Sequence, residues 1–185
     1  MAYLTRIVFI TGQPGVGKTT VLLNAIEILK KRGYKVGGVI SREVRERGVR
    51  VGFEIIDIYT GQQGWLAHVN QPEGPQVSKY RVNLDDLKTI GANSILNAIK
   101  KANAVAVDEI GPMELFSPAF KEAVVQALES NKPILGTIHH KAQDVLINSI
   151  KKREDTEILE VTHRNRNTLH NFIIDKILHS LSEKP

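Results

Sequence analysis

Short apolar, β-branched runs alternate along the chain with segments whose apolar residues recur every three or four positions. Leu4–Thr11 and Val36–Ser41 are such runs, as are the later stretches ANAVAVDEIG, KPILGTI and EILEVT, and each is typical of a buried parallel strand. Thr19–Arg32 and Lys141–Arg153 have the helical spacing. Strands that alternate with helices predict an α/β fold in which helices cover both faces of a parallel sheet.

Three further segments predict helices. Leu84–Lys101 carries a helical signal that we expect Gly91 to break. Ser117 and Pro118 predict the start of another helix, because serine is a favoured N-cap and proline fits the first turn. A last helix is predicted from one apolar face, formed by Leu169, Phe172, Ile173, Ile177 and Leu181.

Residues 42–82 follow a different pattern. No helix is indicated from Arg42 to Arg81, and VRERGVRVGFEIIDIY alternates as two strands do when a turn joins them, here around Arg47–Gly48. We interpret the region as an antiparallel β insertion that extends one edge of the sheet, with Trp65 packed inside it. Structural support is its favoured role, and contact with the base of a nucleotide or with a partner is the alternative.

Composition favours one domain and excludes several classes of protein. With 185 residues and 42% hydrophobic content, the chain suits a single domain, residues 1–185, that carries the insertion. Cysteine is absent, which excludes disulfides and thiolate metal sites. No apolar run reaches the roughly 18 residues that cross a bilayer, and Tyr3–Thr11 is too short for a signal peptide. We therefore expect a cytoplasmic monomer that does not contact membranes.

The net charge of +5 permits nucleic acid as a partner but does not favour it. Short basic clusters lie at Lys30–Arg32 and Lys151–Arg153, where predicted helices end. Cations there complement the helix dipole, and no aromatic residues that could stack on bases accompany them.

The stretch GQPGVGKT, Gly12–Thr19, fits the pattern G-x-x-x-x-G-K-[ST] at every fixed position. Its glycines let consecutive backbone N–H groups turn toward phosphate oxygens, Lys18 can reach the β- and γ-phosphates, and Thr19 can ligate Mg²⁺. Because the stretch follows a predicted strand and opens a predicted helix, a chance glycine turn is the weaker interpretation. The predicted phosphate site comprises Gly12, Gln13, Pro14, Gly15, Val16, Gly17, Lys18, Thr19 and Thr20.

Two adjacent acids end the strand AVAVDEIG, at the edge where parallel sheets bind ligands. Asp108 is the expected partner of Mg²⁺. Glu109 can accept a hydrogen bond from a water molecule and aim it at the γ-phosphorus, as a general base does. A surface or helix-capping role for Glu109 is the weaker interpretation, because the residue adjoins the metal acid.

Weaker candidates lie at the ends of the later strands. Thr137 either senses the γ-phosphate or is an ordinary strand residue. His139 and His140 are adjacent, so on a strand they would point to opposite faces and could not ligate one ion together. Arg164 and Arg166 follow the fifth parallel strand, where one of them contacts base or phosphate, or both form surface ion pairs.

These residues leave more than one function open. A guanine-specific switch is excluded, because the nearest match to its N/T-K-x-D clamp, Asn131–Ile134, lacks the acid. A small-molecule or nucleoside kinase that uses ATP remains an alternative, since arginines cluster in SREVRERGVR and THRNRN as they do in kinase lids. An ATP-dependent nucleic-acid-binding module is a second alternative, supported by charge alone. The water-directing position of Glu109 favours hydrolysis.

The motifs GQPGVGKTT, VDEIGPMELF and ILGTI, with the late run THRNRN, resemble the small nucleoside triphosphatases first described from thermophiles, relatives of the vertebrate cancer-related nucleoside triphosphatase. The resemblance spans nearly the whole chain, including Glu43–Arg45 and Arg50–Phe53 in the insertion. The chain differs from vertebrate members after ILGTI, where it has His139 and His140.

The resemblance implies a P-loop fold of the RecA/AAA-like type, a three-layer sandwich with a parallel core sheet and an antiparallel β extension. It implies a Mg²⁺-dependent enzyme that converts nucleoside triphosphates (ATP, GTP, CTP and UTP) to diphosphate and phosphate with broad base specificity. It also implies that nucleotide contacts lie in the P-loop and in the acid strand, here Ala104, Val105, Ala106, Val107, Asp108, Glu109, Ile110 and Gly111.

Overall fold

The computed structural model describes residues 5–182, and in this part of the chain nine strands form a single sheet in the order β5-β6-β4-β3-β2-β7-β8-β1-β9. The strands are β1 Ile7–Thr11, β2 Val36–Glu46, β3 Val49–Asp57, β4 Gln63–His68, β5 Gln76–Val77, β6 Tyr80–Val82, β7 Ala104–Ile110, β8 Ile134–Ile138 and β9 Thr156–Glu160. The prediction for Leu4 lies outside the described residues.

Helices connect the strands of the parallel half of the sheet. They are α1 Lys18–Lys31, α2 Leu84–Asp86, a π-helical stretch Leu87–Ala92, α3 Asn93–Lys101, a 3₁₀ turn Glu114–Phe116, α4 Pro118–Glu129, α5 Val145–Lys152 and α6 Leu169–Ser182. Ser117 Oγ accepts a hydrogen bond from the Phe120 backbone N–H, with Pro118 in the first turn of α4, as the sequence predicts.

Five parallel strands, β2, β7, β8, β1 and β9, form the core sheet. Strand β8 lies between β1, which leads into the glycine loop, and β7, which carries the two acids. Two hydrophobic clusters cover the sheet, one formed with α3, α4 and α5 and the other with α1 and α6. The predicted α/β class, with a parallel core and an antiparallel β extension, is therefore confirmed.

The antiparallel extension begins with a long hairpin of β2 and β3. Its turn lies at Arg47 and Gly48, as predicted, and both residues have positive φ, which matches the twist of a two-residue hairpin. Strand β2 is longer than predicted, because it continues beyond Ser41 to Glu46 by pairing with β3 alone. As a result, the C-terminal half of β2 extends beyond Val39, which is the last residue of β2 that pairs with β7.

Three sequence predictions are wrong in detail. Gly91 does not break the helical segment; it lies in the π-helical stretch, where a Cβ would come within 2.9 Å of Ile55 Cδ1, so glycine allows close packing. The helix predicted from Lys141 begins at Val145, because Asp144 caps it through the Leu146 N–H. Phe172 is 40% exposed, and α6 instead buries Ile173, Ile174 and Ile177.

Candidate active site

The glycine loop joins β1 to α1 through a backbone path that requires glycine at both ends. Gly12 has φ of 147°, and a Cβ there would lie 2.8 Å from the Val161 carbonyl oxygen. Gly17 has φ of 111° and precedes the first residue of α1. An L side chain at either position would be strained. The conformation of the loop thus follows from the spacing of its glycines.

The N-terminus of α1 is suited to bind an anion. No side chain caps this helix, and its first turn contains no acidic residue. The first backbone N–H groups of a helix have no intrahelical partner and carry the positive end of its dipole. Because no side chain within residues 5–182 caps this end, these donors are available to phosphate oxygens.

Lys18 lies folded back over the glycine loop. Its Nζ donates hydrogen bonds to the carbonyl oxygens of Gly12, at 3.1 Å, and Gln13, at 3.4 Å. The ammonium group is also 3.9 Å from Oε1 of Glu109. One cation therefore adjoins both the phosphate-binding loop and the end of the acid strand.

Asp108 is 4% exposed, and hydroxyl groups from two elements hold its carboxylate. Thr19 Oγ1 donates to Oδ2 at 3.0 Å, and Thr137 Oγ1 donates to Oδ1 at 2.5 Å. Burial raises the pKa of Asp108 above its ordinary value, while the two hydroxyl bonds and the charge of Lys18 lower it. A buried carboxylate whose partners are neutral hydroxyls is a favourable site for an added cation.

Glu109 lies next to Asp108 along β7, and the peptide bond between the two acids is cis. Its Oε1 is buried and has no hydrogen-bond partner within residues 5–182. Burial raises the pKa of Glu109 to about 7; the Lys18 charge lowers it and Asp108 raises it further. A carboxylate with such a pKa can accept a proton near neutrality.

A third acid, Glu114, joins this group although the sequence analysis did not single it out. Glu114 is 6% exposed, and burial raises its pKa to about 8, with further increases from the charges of Glu109 and Asp108. Gly111 brings the acids together: a Cβ on it would lie 3.3 Å from Glu114 Oε2 and 3.4 Å from Glu109 Oε2. The signal available in the sequence was an acid within the apolar run PMELF, directly after the acid strand.

A cavity of about 740 Å³ opens at this edge of the sheet. Its P-loop side is lined by Pro14, Gly15, Gly17, Lys18, Thr19 and Thr20. Asp108, Glu109 and His139 line its floor, and residues of the β2–β3 hairpin line the opposite wall. Burial and the nearby charges of Lys18, His140 and Lys141 lower the pKa of His139, which favours the neutral form of the imidazole.

Other predicted site residues lie around the cavity rather than in its wall. Ala104, Val105, Ala106 and Val107 are buried within β7, Ile110 is buried beyond the acids, and Val16 packs in the hydrophobic cluster under α1. Arg166 is exposed, with its Cδ 3.8 Å from the position of a Cβ on Gly17, and Arg164 is exposed nearby. Thr137, at the end of β8, contacts Asp108.

Within residues 5–182, no cluster of three or more His, Cys, Asp or Glu side chains could hold a metal ion. None of the helices described is long and apolar enough to cross a membrane.

A glycine loop that leads into an uncapped helix, with an acid strand one strand away, defines a P-loop nucleotide-binding protein. A family model described as NTPase matches residues 7–174, and the chain belongs to this family. The predicted family resemblance and the predicted enzyme class, nucleoside-triphosphatase, are thereby confirmed at the level of the family.

Named relatives agree with this assignment. The chain is 47% identical over 161 residues to nucleoside-triphosphatase THEP1 of Thermofilum pendens, covering 86% of this chain and 88% of that protein. It is 45% identical over 173 residues to the protein of the same name from Methanosarcina acetivorans, covering 93% and 97%.

Two solved structures share the fold. THEP1 from the hyperthermophile Aquifex aeolicus superposes with a TM-score of 0.80 at 28% identity, covering 92% of this chain and 98% of that one. A human cancer-related nucleoside triphosphatase superposes with a TM-score of 0.78 at 35% identity, covering 97% and 100%.

Proposed function

We propose that the protein hydrolyses nucleoside 5′-triphosphates to nucleoside diphosphate and phosphate, with Mg²⁺ as cofactor and without strong choice of base. The observation that carries this proposal is the position of Glu109, a partly buried carboxylate next to Asp108 whose Oε1 is buried without a hydrogen-bond partner within residues 5–182 and lies 3.9 Å from Lys18 Nζ. Such a group has the charge, burial and location of a general base at the γ-phosphate.

The residues at the loop fit a magnesium ion. Thr19 and Asp108 present oxygen atoms, the ligand type that Mg²⁺ prefers, and their side chains already lie 3.0 Å apart. Among residues 5–182, no cationic side chain lies within hydrogen-bond distance of the buried Asp108 carboxylate, which is consistent with a metal partner. When bound there, Mg²⁺ neutralises charge on the β- and γ-phosphate oxygens.

The P-loop binds and orients the triphosphate. Backbone N–H groups between Gly12 and Thr19, of which Pro14 supplies none, surround the β-phosphate, and the uncapped N-terminus of α1 contributes its dipole. Lys18 leaves the carbonyl oxygens of Gly12 and Gln13 to contact the β- and γ-phosphates, where its charge stabilises the transition state.

Glu109 then removes a proton from the attacking water. The water oxygen bonds to the γ-phosphorus as the bond from that phosphorus to the β–γ bridging oxygen breaks. The water proton passes to the Glu109 carboxylate, which the adjacent Lys18 keeps partly ionised near pH 7.

Broad base specificity follows from the composition of the site. The acids that line the cavity within residues 5–182 next to the P-loop, Asp108 and Glu109, are assigned to the metal and the attacking water, so neither is left unpaired by the wrong base. Arg164 and Arg166, on the side toward β9, are exposed, and exposed groups discriminate weakly. We propose that they contact the nucleotide without selecting among bases.

A phosphate-release assay with Mg²⁺ and no other substrate tests this proposal. ATP, GTP, CTP and UTP should each be hydrolysed, at rates within about tenfold of one another. A preference of several thousandfold for one base would contradict the broad specificity. Absence of phosphate release with all four would contradict hydrolysis itself, and a steep salt-dependent shift on RNA or DNA would favour the nucleic-acid alternative.

A further inference from the structure

The cavity is larger than the phosphate end of a nucleotide requires. Its volume of about 740 Å³ lies within the roughly 300–1,000 Å³ typical of sites that enclose whole small molecules. The wall opposite the P-loop, which we call the far wall, is formed by Ile40, Ser41, Arg42, Glu43, Phe53 and Ile56 of the β2–β3 hairpin. The proposed hydrolysis uses none of these residues.

The far wall lies on the γ-phosphate side of the site. In the sheet, β2 and β3 lie beyond β7, whereas Arg166, next to Gly17, lies on the opposite side, toward β9. If the γ-phosphate faces Glu109 at the end of β7, the nucleoside part of the triphosphate extends away from the hairpin. With the nucleotide placed in this way, the far half of the cavity lies beyond the γ-phosphate and can receive a second ligand.

The far wall offers backbone hydrogen-bonding groups. Strand β2 pairs with β7 only over Val36–Val39, while its pairing with β3 continues to Glu46. From Ile40 onward, the edge that faces away from β3 has no backbone partner in the part of the chain that the structure describes. An open strand edge presents unpaired N–H and C=O groups, which suit the polar atoms of a ligand.

The far wall also contains a fixed aromatic ring. Phe53 contacts Tyr80 edge to face, with 5.2 Å between the ring centroids, and the guanidinium of Arg50 lies 5.1 Å from the Phe53 centroid. Arg50 is held in turn by Tyr80 Oη, at 2.8 Å. A ring held in place before binding suits a planar ligand, because little conformational freedom is lost on contact.

The charges of the far wall are already paired. Arg42 donates to Glu54, with 3.1 Å from Nε to Oε2, and Glu43 accepts from Arg50 at 2.8 Å. Burial lowers the pKa of His139 and so favours its neutral form, and the proposed nucleotide takes the charge of Lys18. Because no unpaired cation remains among the lining residues described, a second phosphate-bearing ligand would lack a counter-charge, and an uncharged ligand is favoured.

We propose that the far wall binds an uncharged planar heterocycle bearing hydroxyl groups, of the nucleoside class, and that one of its hydroxyls accepts the γ-phosphoryl group. The hydroxyl oxygen bonds to the γ-phosphorus, the bond to the β–γ bridging oxygen breaks, and the hydroxyl proton passes to Glu109. The products are the phosphorylated acceptor and a nucleoside diphosphate. This transfer rests on the proposed hydrolysis, because the acceptor hydroxyl takes the place of the attacking water.

Product analysis with labelled nucleotide tests the transfer. The whole chain is incubated with Mg²⁺ and γ-labelled ATP, alone and with adenosine, guanosine, cytidine, uridine or thymidine. At least one nucleoside should yield a labelled nucleoside phosphate, with an equal decrease in labelled inorganic phosphate. If inorganic phosphate is released and none of the five is labelled, the acceptor site is wrong while hydrolysis stands. If neither product forms, both proposals are wrong.

Two variants of the far wall locate the acceptor. Phe53→Ala removes the ring, and Ser41→Trp fills the space beside it, so each should lower labelled nucleoside phosphate at least about tenfold. Phe172→Ala, which changes an exposed aromatic residue on α6, is the matched control and should transfer as the unmutated protein does. Thermal unfolding checks that each variant is folded, and Ser41→Trp decides the outcome if Phe53→Ala does not fold. Unchanged transfer in a folded far-wall variant would contradict the proposal.

Discussion

Thr137 Oγ1 donates a hydrogen bond of 2.5 Å to Oδ1 of Asp108. The other carboxylate oxygen accepts from Thr19 at 3.0 Å. Thr137 lies at the end of β8, the strand between β1 and β7, so the strand order itself places its hydroxyl between the P-loop and the acid. The sheet thus fixes the orientation of the Asp108 carboxylate before any ligand binds.

Thr137→Val should destabilise the protein and weaken its use of Mg²⁺. Valine keeps the shape but leaves one buried oxygen of Asp108 without a donor, which costs about 1–3 kcal/mol of unfolding free energy. The Mg²⁺ concentration that gives half-maximal hydrolysis should rise several-fold, because Asp108 is less well oriented. Denaturant unfolding and a Mg²⁺ titration measure the two effects.

Thr156 provides the control for this substitution. Its Oγ1 is buried but has no hydrogen-bond partner within residues 5–182. Thr156→Val therefore removes a hydroxyl without breaking a bond, and its unfolding free energy should stay equal or rise. If Thr137→Val had the same unfolding free energy as Thr156→Val, the hydrogen bond from Thr137 to Asp108 would contribute nothing to the stability of the fold.

Lys18→Ala should impair both nucleotide binding and turnover. The substitution removes the cation at the β- and γ-phosphates, and loss of one such transition-state contact lowers kcat by about 10²–10³. Lys176→Ala, which breaks a surface ion pair with Glu157 near the start of β9, is the control and should leave hydrolysis unchanged. Near-normal hydrolysis by Lys18→Ala would be incompatible with the P-loop assignment.

Glu114→Gln should stabilise the protein increasingly as pH rises. The folded pKa of Glu114 is about 8, against 4.5 in the unfolded chain. Between those values the unfolded chain loses a proton that the folded chain keeps, so the unmutated protein loses stability as pH increases through this window. The neutral amide does not titrate. The unfolding free energy of the variant, relative to that of the unmutated protein, should therefore rise by roughly 2–4 kcal/mol between pH 5 and pH 8.

Urea unfolding of both proteins at pH 5, 6.5 and 8 measures this difference. Glu129→Gln, at the exposed end of α4, is the control. Its unfolding free energy should stay within about 0.5 kcal/mol of that of the unmutated protein at all three pH values. A difference between Glu114→Gln and the unmutated protein that does not change with pH would show that Glu114 is already ionised in the folded state.

The sequence was sufficient for those parts of the site that are local in the chain. Gly12–Thr19 is one continuous motif whose glycine spacing dictates its backbone, and Asp108 and Glu109 end a recognisable buried strand. The alternation of strands and helices also predicted the parallel core, because hydrophobic periodicity reports burial directly.

Contacts between distant segments could not be predicted in this way. Thr19 and Asp108 are 89 residues apart, and Thr137 and Asp108 are 29 apart, so their meeting depends on strand order. Glu114 was not singled out from the sequence, and its position beside Glu109 depends on the close packing at Gly111. The far wall could not be predicted from the sequence either, because β2 extends beyond β7 through its pairing with β3 and not through its own composition.

Glu109→Gln tests the central claim, that Glu109 activates the attacking water. Glutamine keeps the size and a hydrogen-bonding oxygen but cannot take the proton. Binding of Mg²⁺·ATP should persist, because Thr19, Asp108 and the P-loop are unchanged. Hydrolysis should fall by roughly 10²–10⁴, the usual contribution of a positioned acid–base group.

The decisive measurement is therefore paired: the dissociation constant of Mg²⁺·ATP and the single-turnover rate of phosphate release, each for the unmutated protein and for Glu109→Gln. A nearly unchanged dissociation constant with a rate at least a hundredfold lower, about the least that a general base supplies, is the predicted result. An unchanged rate would reduce Glu109 to a structural carboxylate, and lost binding would place it among the metal ligands; either result would contradict the proposed role.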